Sequence, residues 1–482
     1  MITFLSSIVL LILGYIFYGK ITEKVFLADP DRTTPATRMA DGVDYIHMPV
    51  WKCFIVQFLN IAGVGPIFGA IVGAMYGPAS FLWIVFGSIF AGAVHDYMSG
   101  MMSVRKDGNN MPLLIQSQLG RVIGFFINIF IILMVVLVVV TFTQSPATLL
   151  TNMTNNTVSE HVWIAIILVY YFIASFVPID KIIGKIYPVF GAILLLTAIA
   201  LIVVMVVRLM PIPEITEGLH NRQSNPAETP IFPMMFVSIA CGAISGFHAS
   251  QSPIISRCIE NEKYGRPVFY GAMITEGLVA LIWAAAAATF FGGYDGLIGF
   301  LAEHNNSAAA VVSTVCNTAL GKIGGIMGVL GVVCACITTG DTSVRAGRLI
   351  ISEFLNIPQN NIWRRMTIVI PIILIALWMM NFQFDVLWRY FGWNNQLLSV
   401  FTLWAITVYL CKRKRQYVIS LVPALFMTFI CTSFICFAKI GFNMNLTWSY
   451  ISAGCVDLMM LIVFLRWKTN IFKNDGEESH IG

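Results

Sequence analysis

The chain has 482 residues, of which 58% are hydrophobic and only 11% charged, with a mean hydropathy of +0.81. A soluble globular domain carries about 25% charged residues, so this is not one, and the alternating polarity of an outer-membrane barrel is missing. A net charge of +5 without a basic patch excludes a nucleic-acid surface, and the 10 cysteines, mostly inside apolar runs such as Cys334 to Cys336 and Cys431 to Cys436, suggest neither disulfides nor a metal motif.

An apolar bilayer core of about 30 Å takes roughly 20 residues of helix. Windows of that length predict about thirteen transmembrane helices in an all-α polytopic membrane protein. They lie near residues 2–19, 51–76, 79–102, 122–144, 161–177, 184–207, 232–256, 268–292, 322–343, 366–381, 386–411, 416–437 and 447–465. The first lacks the basic leader and small-residue exit of a signal peptide, so it is expected to remain a helix. Of the 29 basic residues, 24 fall in one set of alternate loops and 3 in the other. Positive loops stay cytoplasmic, which predicts an extracytoplasmic N-terminus and a cytoplasmic C-terminus.

Two of these spans are interrupted. The first contains Asn60-Ile61-Ala62-Gly63-Val64-Gly65-Pro66, and the second Ser245-Gly246-Phe247-His248-Ala249-Ser250-Gln251-Ser252-Pro253. Proline removes a helix hydrogen bond and glycine permits irregular angles. Ser252 is expected to cap a helix restarting at Pro253, giving an N-terminus inside the membrane that favours an anion. The loop count runs the first broken span outward and the second, five helices later, inward. That is an inverted repeat of five plus five helices, the best sequence pointer to a transporter site at mid-membrane. The expected units are an extra helix (1–20), a cytoplasmic loop (21–50), a first repeat (51–208), an extracytoplasmic loop (209–231), a second repeat (232–411), two accessory helices (412–467) and a cytoplasmic tail (468–482).

Substrate contacts are expected from Gly63, Gly65, Pro66, Gly246, His248, Gln251 and Ser252, with Gly65 and Gly246 facing each other across the cavity. Gly65, Gly69, Gly73 and Gly77 line one helix face and suit close helix packing. Intramembrane acids are costly and mark ion or proton paths. Glu276 is the deepest; Asp96 with His95 lies nearer the cytoplasmic end, open to either snorkelling or proton handling. Thr338-Thr339-Gly340-Asp341-Thr342 is rich in oxygen ligands, and hydroxyls of Thr338, Thr339 and Thr342 with carbonyls of Ala62 and Val64 could hold sodium if the second and ninth spans touch. The alternative is a solvated helix C-terminus with Asp341 paired to an arginine. Arg389, a turn inside the Trp388 and Trp393 belt, is a candidate for a substrate carboxylate. Gly242-Ala243-Ile244-Ser245-Gly246 fits a hydrolase nucleophile elbow with His248 nearby, but that elbow needs a strand and a soluble sheet.

These residues carry a family resemblance. Asp41 to Tyr45, Ile61 to Pro66, Ala91 to Asp96, Gly246 to Pro253, Thr338 to Thr342 and Trp388 to Trp393 together resemble carbon starvation protein A, of the short form without a long C-terminal extension. The resemblance implies an inner-membrane secondary transporter with a LeuT-type core, induced in nutrient shortage, taking up peptides or, in related members, pyruvate with protons. The expected partners are therefore a short peptide or small carboxylate, a coupling proton or alternatively sodium, and the lipid bilayer, with no nucleic acid and no cofactor. The competing reading is a membrane-embedded serine hydrolase using Ser245 and His248.

Overall fold

The computed structural model describes residues 1–42, 44–177, 179–359 and 361–478. Its described residues are helical apart from connecting loops and one isolated bridge between Met48 and Ile259. The helices that matter here are α1 (Ile2–Phe26), α2 (Val50–Ala62), α3 (Gly65–Ala74), α4 (Ala79–Arg105), α5 (Arg121–Met153), α6 (Glu160–Ala174), α7 (Ile179–Val207), α8 (231–238), α9 (His248–Ser256), α10 (Glu262–Phe290), α11 (Ala308–Phe354), α12 (Ile362–Met379), α13 (Phe384–Lys412), α14 (Val418–Phe437) and α15 (Leu446–Glu478). Nine helices among the described residues are long and apolar enough to cross a membrane, ten when the bent pair α2 and α3 counts as one span.

Each of the thirteen predicted stretches contains helix, although residues 239–247 within 232–256 are not helical. Three fall outside the ten for local reasons: α6 is only 15 residues long, residues 231–256 are split into the short α8 and α9, and α13 carries Asn394, Asn395 and Gln396 in its middle. The expected tail from 468 is not separate, because α15 runs on to Glu478; residues 479–482 lie outside the described residues. The ninth span does not end near 343 either. Helix continues to Phe354, and its only non-helical residue is Gly321 at φ +69, where the chain enters the predicted span. Thr338 to Arg345 are therefore buried mid-helix, and the expected solvated C-terminus is corrected.

The burial pattern is inverted relative to a soluble protein. Leu196, Ile199 and Val203 of α7, Leu374 and Trp378 of α12, and Leu458 and Met459 of α15 are exposed, while Asn60, His95, Asp96, His248, Glu276, Asp341 and Asn395 are buried. Backbone and polar groups that lipid cannot solvate are turned inward. Glycines let the inner helices touch. A Cβ on Gly340 of α11 would strike the Tyr171 ring of α6, and one on Gly347 would strike Val135 of α5. The Gly65, Gly69 and Gly73 stripe of α3 likewise lies against Cys241, Ser238 and Ile239.

At the end of the bundle that holds most of the Lys and Arg, buried cations close the fold. Arg105 binds fully buried Glu262 through Nη2 at 2.9 Å and Nε at 3.1 Å. Arg345 caps the α6 exit by donating to the carbonyls of Ala174 at 2.9 Å and Val177 at 2.8 Å. Met48 N donates to Cys258 O, which pins the loop before α2 beneath α9.

Candidate functional site

The two breaks are built differently. Gly63, at φ +46 and ψ −141, ends α2, and α3 restarts at Gly65 with a bend of 54°. Only glycine fits Gly63 comfortably, because φ is positive and a Cβ would collide with the Phe142 ring. Ala62 is the last residue of α2, and the Val64 carbonyl accepts from Ile67 N and Phe68 N. Pro66 sits in the first turn of α3, where its missing N–H costs nothing.

The second break is longer, from 239 to 247, and its buried backbone groups, released from helix hydrogen bonding, are splinted by side chains from neighbouring helices. Trp83 Nε1 donates to Ile239 O at 3.3 Å, Ser88 Oγ to Gly242 O at 2.8 Å, and Gln396 Nε2 to Ile244 O at 3.2 Å. Asn395 does most: its Oδ1 accepts from Ser245 Oγ at 2.9 Å and from Phe247 N at 2.8 Å, and its carbonyl accepts from Gly246 N at 3.1 Å. In lipid these groups have no other partner. Three expectations are corrected here. The helix restarts at His248 rather than Pro253, so Pro253 is interior and Ser252 Oγ donates back to His248 O at 3.0 Å instead of capping. Gly246 does not face Gly65: its Cβ would lie 2.5 Å from Asn395 O and from Leu398 C of α13. What meets the first break is Cys241, against Gly65, and Gly242, whose Cβ would sit 3.5 Å from Pro66.

His248, as the first residue of α9, points into a fully buried cluster. Its Nδ1 donates to Asp96 Oδ2 at 2.8 Å, and His95 Nδ1 donates to Asp96 Oδ1 at 2.8 Å. His248 Nε2 lies 3.4 Å from Glu276 Oε2. Thus α4, α9 and α10 are joined by a chain of carboxylate, imidazole and carboxylate, and a proton between Nε2 and Glu276 could rest on either group. Asp96 is not snorkelling, since it is fully buried.

Gln251 and Ser252 continue the His248 face of α9 at i+3 and i+4. Gln57 of α2 donates to Ser252 Oγ at 3.3 Å, bringing the two breaks together. Gln57 Oε1, Gln251 Oε1 and both amide atoms of Asn60 are buried without a hydrogen-bond partner. Buried amides are costly when unpaired.

The remaining predicted residues lie elsewhere. The second and ninth spans do touch, through Thr339 Oγ1 donating to Leu59 O at 2.8 Å. Thr338 and Thr342 hydroxyls instead donate within their own helix, to Ala335 O and Thr338 O. Asp341 accepts from Tyr187 Oη at 2.6 Å. Arg389 is exposed and not part of the buried cluster. Ser245 is bonded to Asn395 rather than His248, and no strand precedes it among the described residues, so the hydrolase geometry is not formed. Asn395, Gln396, Cys241, Gln57 and Asn60 went unassigned by sequence reasoning. The signal for the first two was three successive amides within a membrane helix.

Crystal structures of a manganese transporter from Eremococcus coleocola share this fold. One, in complex with an aromatic bis-isothiourea substituted compound, matches with TM-score 0.54 at 13% identity, covering 89% of this chain and 98% of that one. A mutant of the same transporter gives 0.56 at 14% identity over the same shares. With its apolar exterior, paired helix breaks and buried charge chain, the molecule is, over the described residues, a helical polytopic membrane protein.

The family model for carbon starvation protein CstA matches residues 1–159, 133–322 and 302–434. An uncharacterized membrane protein of Haemophilus influenzae is 42% identical over 340 residues, 60% of this chain and 91% of that protein. The peptide transporter CstA of Escherichia coli is 24% identical over 574 residues, 91% of this chain and 82% of that protein, and that of Campylobacter jejuni is 27% identical over 376 residues, where the match spans about half of the relative, 53%. The chain belongs to the carbon starvation protein CstA family.

Proposed function

We propose that this chain is a secondary active transporter that imports short peptides across the bacterial inner membrane during nutrient starvation, coupled to protons, by alternating access. The observation that carries the reading is the buried Asp96, His248 and Glu276 chain, which begins where the second break ends and adjoins the unpaired amides of Gln57, Asn60 and Gln251. The amides match peptide groups, and related proteins named peptide transporters favour the same substrate. Pyruvate or a similar small carboxylate is the second substrate reading, resting on the family resemblance. A proton shared between His248 and Glu276 supplies the coupling; binding or releasing it changes the net charge of a site that both halves line. The Thr339 contact with α2 leaves sodium as the competing coupling ion.

The architecture belongs to the same proposal. Thirteen spans, with five-helix repeats over 51–208 and 232–411 that each open on a broken helix, would rock against each other around the fixed site. The distribution of Lys and Arg supports an extracytoplasmic N-terminus and a cytoplasmic C-terminus. The test is uptake of labelled dipeptides and of pyruvate into vesicles holding the purified protein, with and without an imposed proton gradient. Gradient-driven accumulation of a dipeptide, lost in Glu276→Gln and Asp96→Asn, is expected. Accumulation of pyruvate alone would move the substrate assignment, and accumulation of neither would overturn the reading.

A further inference from the structure

Beyond transport, the structure assigns a transition-metal site to Cys241, His248 and Glu276. The Cys241 thiol sulfur, a ring nitrogen of His248 and a carboxylate oxygen of Glu276 lie within 4.8 Å of one another, and all three residues are buried. No other trio of such ligands this close occurs among the described residues. Glu276 Oε1 and Oε2 and His248 Nε2 have no hydrogen-bond partner, so the donor atoms are free to turn toward a shared ion. Tetrahedral zinc brings sulfur and nitrogen to about 3.5 Å of each other, and the three donor atoms already lie within 4.8 Å.

The surroundings are those a metal site needs. A ligating histidine is held by a carboxylate on its other nitrogen, and Asp96 accepts from His248 Nδ1 at 2.8 Å, which fixes the tautomer with Nε2 as the ligand atom. Asn395 Nδ2 donates to Cys241 Sγ at 3.3 Å, a contact that steadies a thiolate. One thiolate, one imidazole and one carboxylate select a borderline-soft divalent ion of the zinc class over sodium, magnesium or calcium. Three protein ligands leave a fourth position open. Binding displaces the thiol proton and the proton carried by His248 or Glu276, so the ion takes the place of the coupling proton and pins the second break, α9 and α10 together. Cys241 lies in the second break itself, between Ile239 and Gly242, which ties metal occupancy to the element that would move.

Cadmium titration of the purified full-length protein in detergent tests this, in a background with the exposed Cys455 replaced by serine. One ion per chain is expected, with an ultraviolet thiolate-to-cadmium charge-transfer band. Cys241→Ser should abolish the band. Asp96→Asn should keep the band but weaken binding about 10- to 100-fold, and Glu276→Gln, nearly isosteric but lacking a ligand charge, should keep the band and weaken binding more. Zinc should compete for the band, whereas magnesium should not. Absence of the band in the parent protein, or its survival in a folded Cys241→Ser variant, would overturn the site. The transport reading is tested separately, by uptake in chelator-treated vesicles: uptake without a cadmium band refutes only the metal site, and a band without uptake refutes only the transport reading.

Discussion

Asn394 and Asn395 stand side by side on α13, both buried, and their replacement by alanine separates the second break from generic helix contacts. Asn394 makes one bond, Nδ2 to Phe130 O at 2.9 Å. A single interhelical hydrogen bond in a membrane protein contributes about 0.6 kcal/mol, so Asn394→Ala should cost about 0.5–1 kcal/mol. Asn395 holds Ser245, Phe247 and Cys241 at once. Phe247 N precedes α9 and has no helical carbonyl to fall back on, so losing Oδ1 leaves a buried donor unpaired, which costs about 1–3 kcal/mol. The Ser245 and Cys241 contacts add about 0.6 kcal/mol each, giving about 2–4 kcal/mol for Asn395→Ala. Both variants have the same helix propensity change, so their difference belongs to the break. The assay is equilibrium unfolding in mixed detergent and dodecyl sulfate micelles, followed by circular dichroism. Equal losses in the two variants, or a loss for Asn395→Ala under about 1 kcal/mol, would refute the splint.

Gly65→Ala should destabilise by about 1–3 kcal/mol because its Cβ meets the Cys241 side chain, and Cys241→Gly should restore most of that loss in the double variant, read by the same unfolding cycle. Gly246→Ala meets the α13 backbone instead, so no single side-chain truncation should rescue it, and the protein should be recovered in low yield with a lowered thermal midpoint. Arg105→Ala strands the buried Glu262 carboxylate and should cost about 2–4 kcal/mol, less than a fully unpaired charge because Arg32 Nε stands 3.8 Å away; Arg105→Ala with Glu262→Gln should be milder than Arg105→Ala alone. Arg389→Ala, at an exposed position, should leave uptake and unfolding within about twofold and 0.5 kcal/mol of the parent, whereas strong loss of uptake would place the substrate path along α13.

What the sequence determined alone follows from the energetics of lipid. A charge or a proline inside an apolar window is expensive wherever it sits, so the helical, membrane-spanning character of the chain, the two breaks, and Asp96, His248 and Glu276 as candidate working groups were legible from their neighbours in the chain. The glycine stripe of α3 was legible for the same reason, since small residues at every fourth position serve only close contact. Which groups meet was not legible. Asp96 and His248 are 152 residues apart, and Ser245 and Asn395 are 150 apart. Their pairing is chosen by how α4, α9 and α13 pack, and local pattern carries no record of that. The same packing moved the helix restart from Pro253 to His248, because Asn395 satisfies Phe247 N where a cap at Ser252 was expected. It also turned Gly246 toward α13, left Cys241 to face the first break, and kept Arg389 outside the buried site. Long-range side chains could replace lost backbone hydrogen bonds only once the tertiary structure had brought them there, and that decided where each break begins and ends.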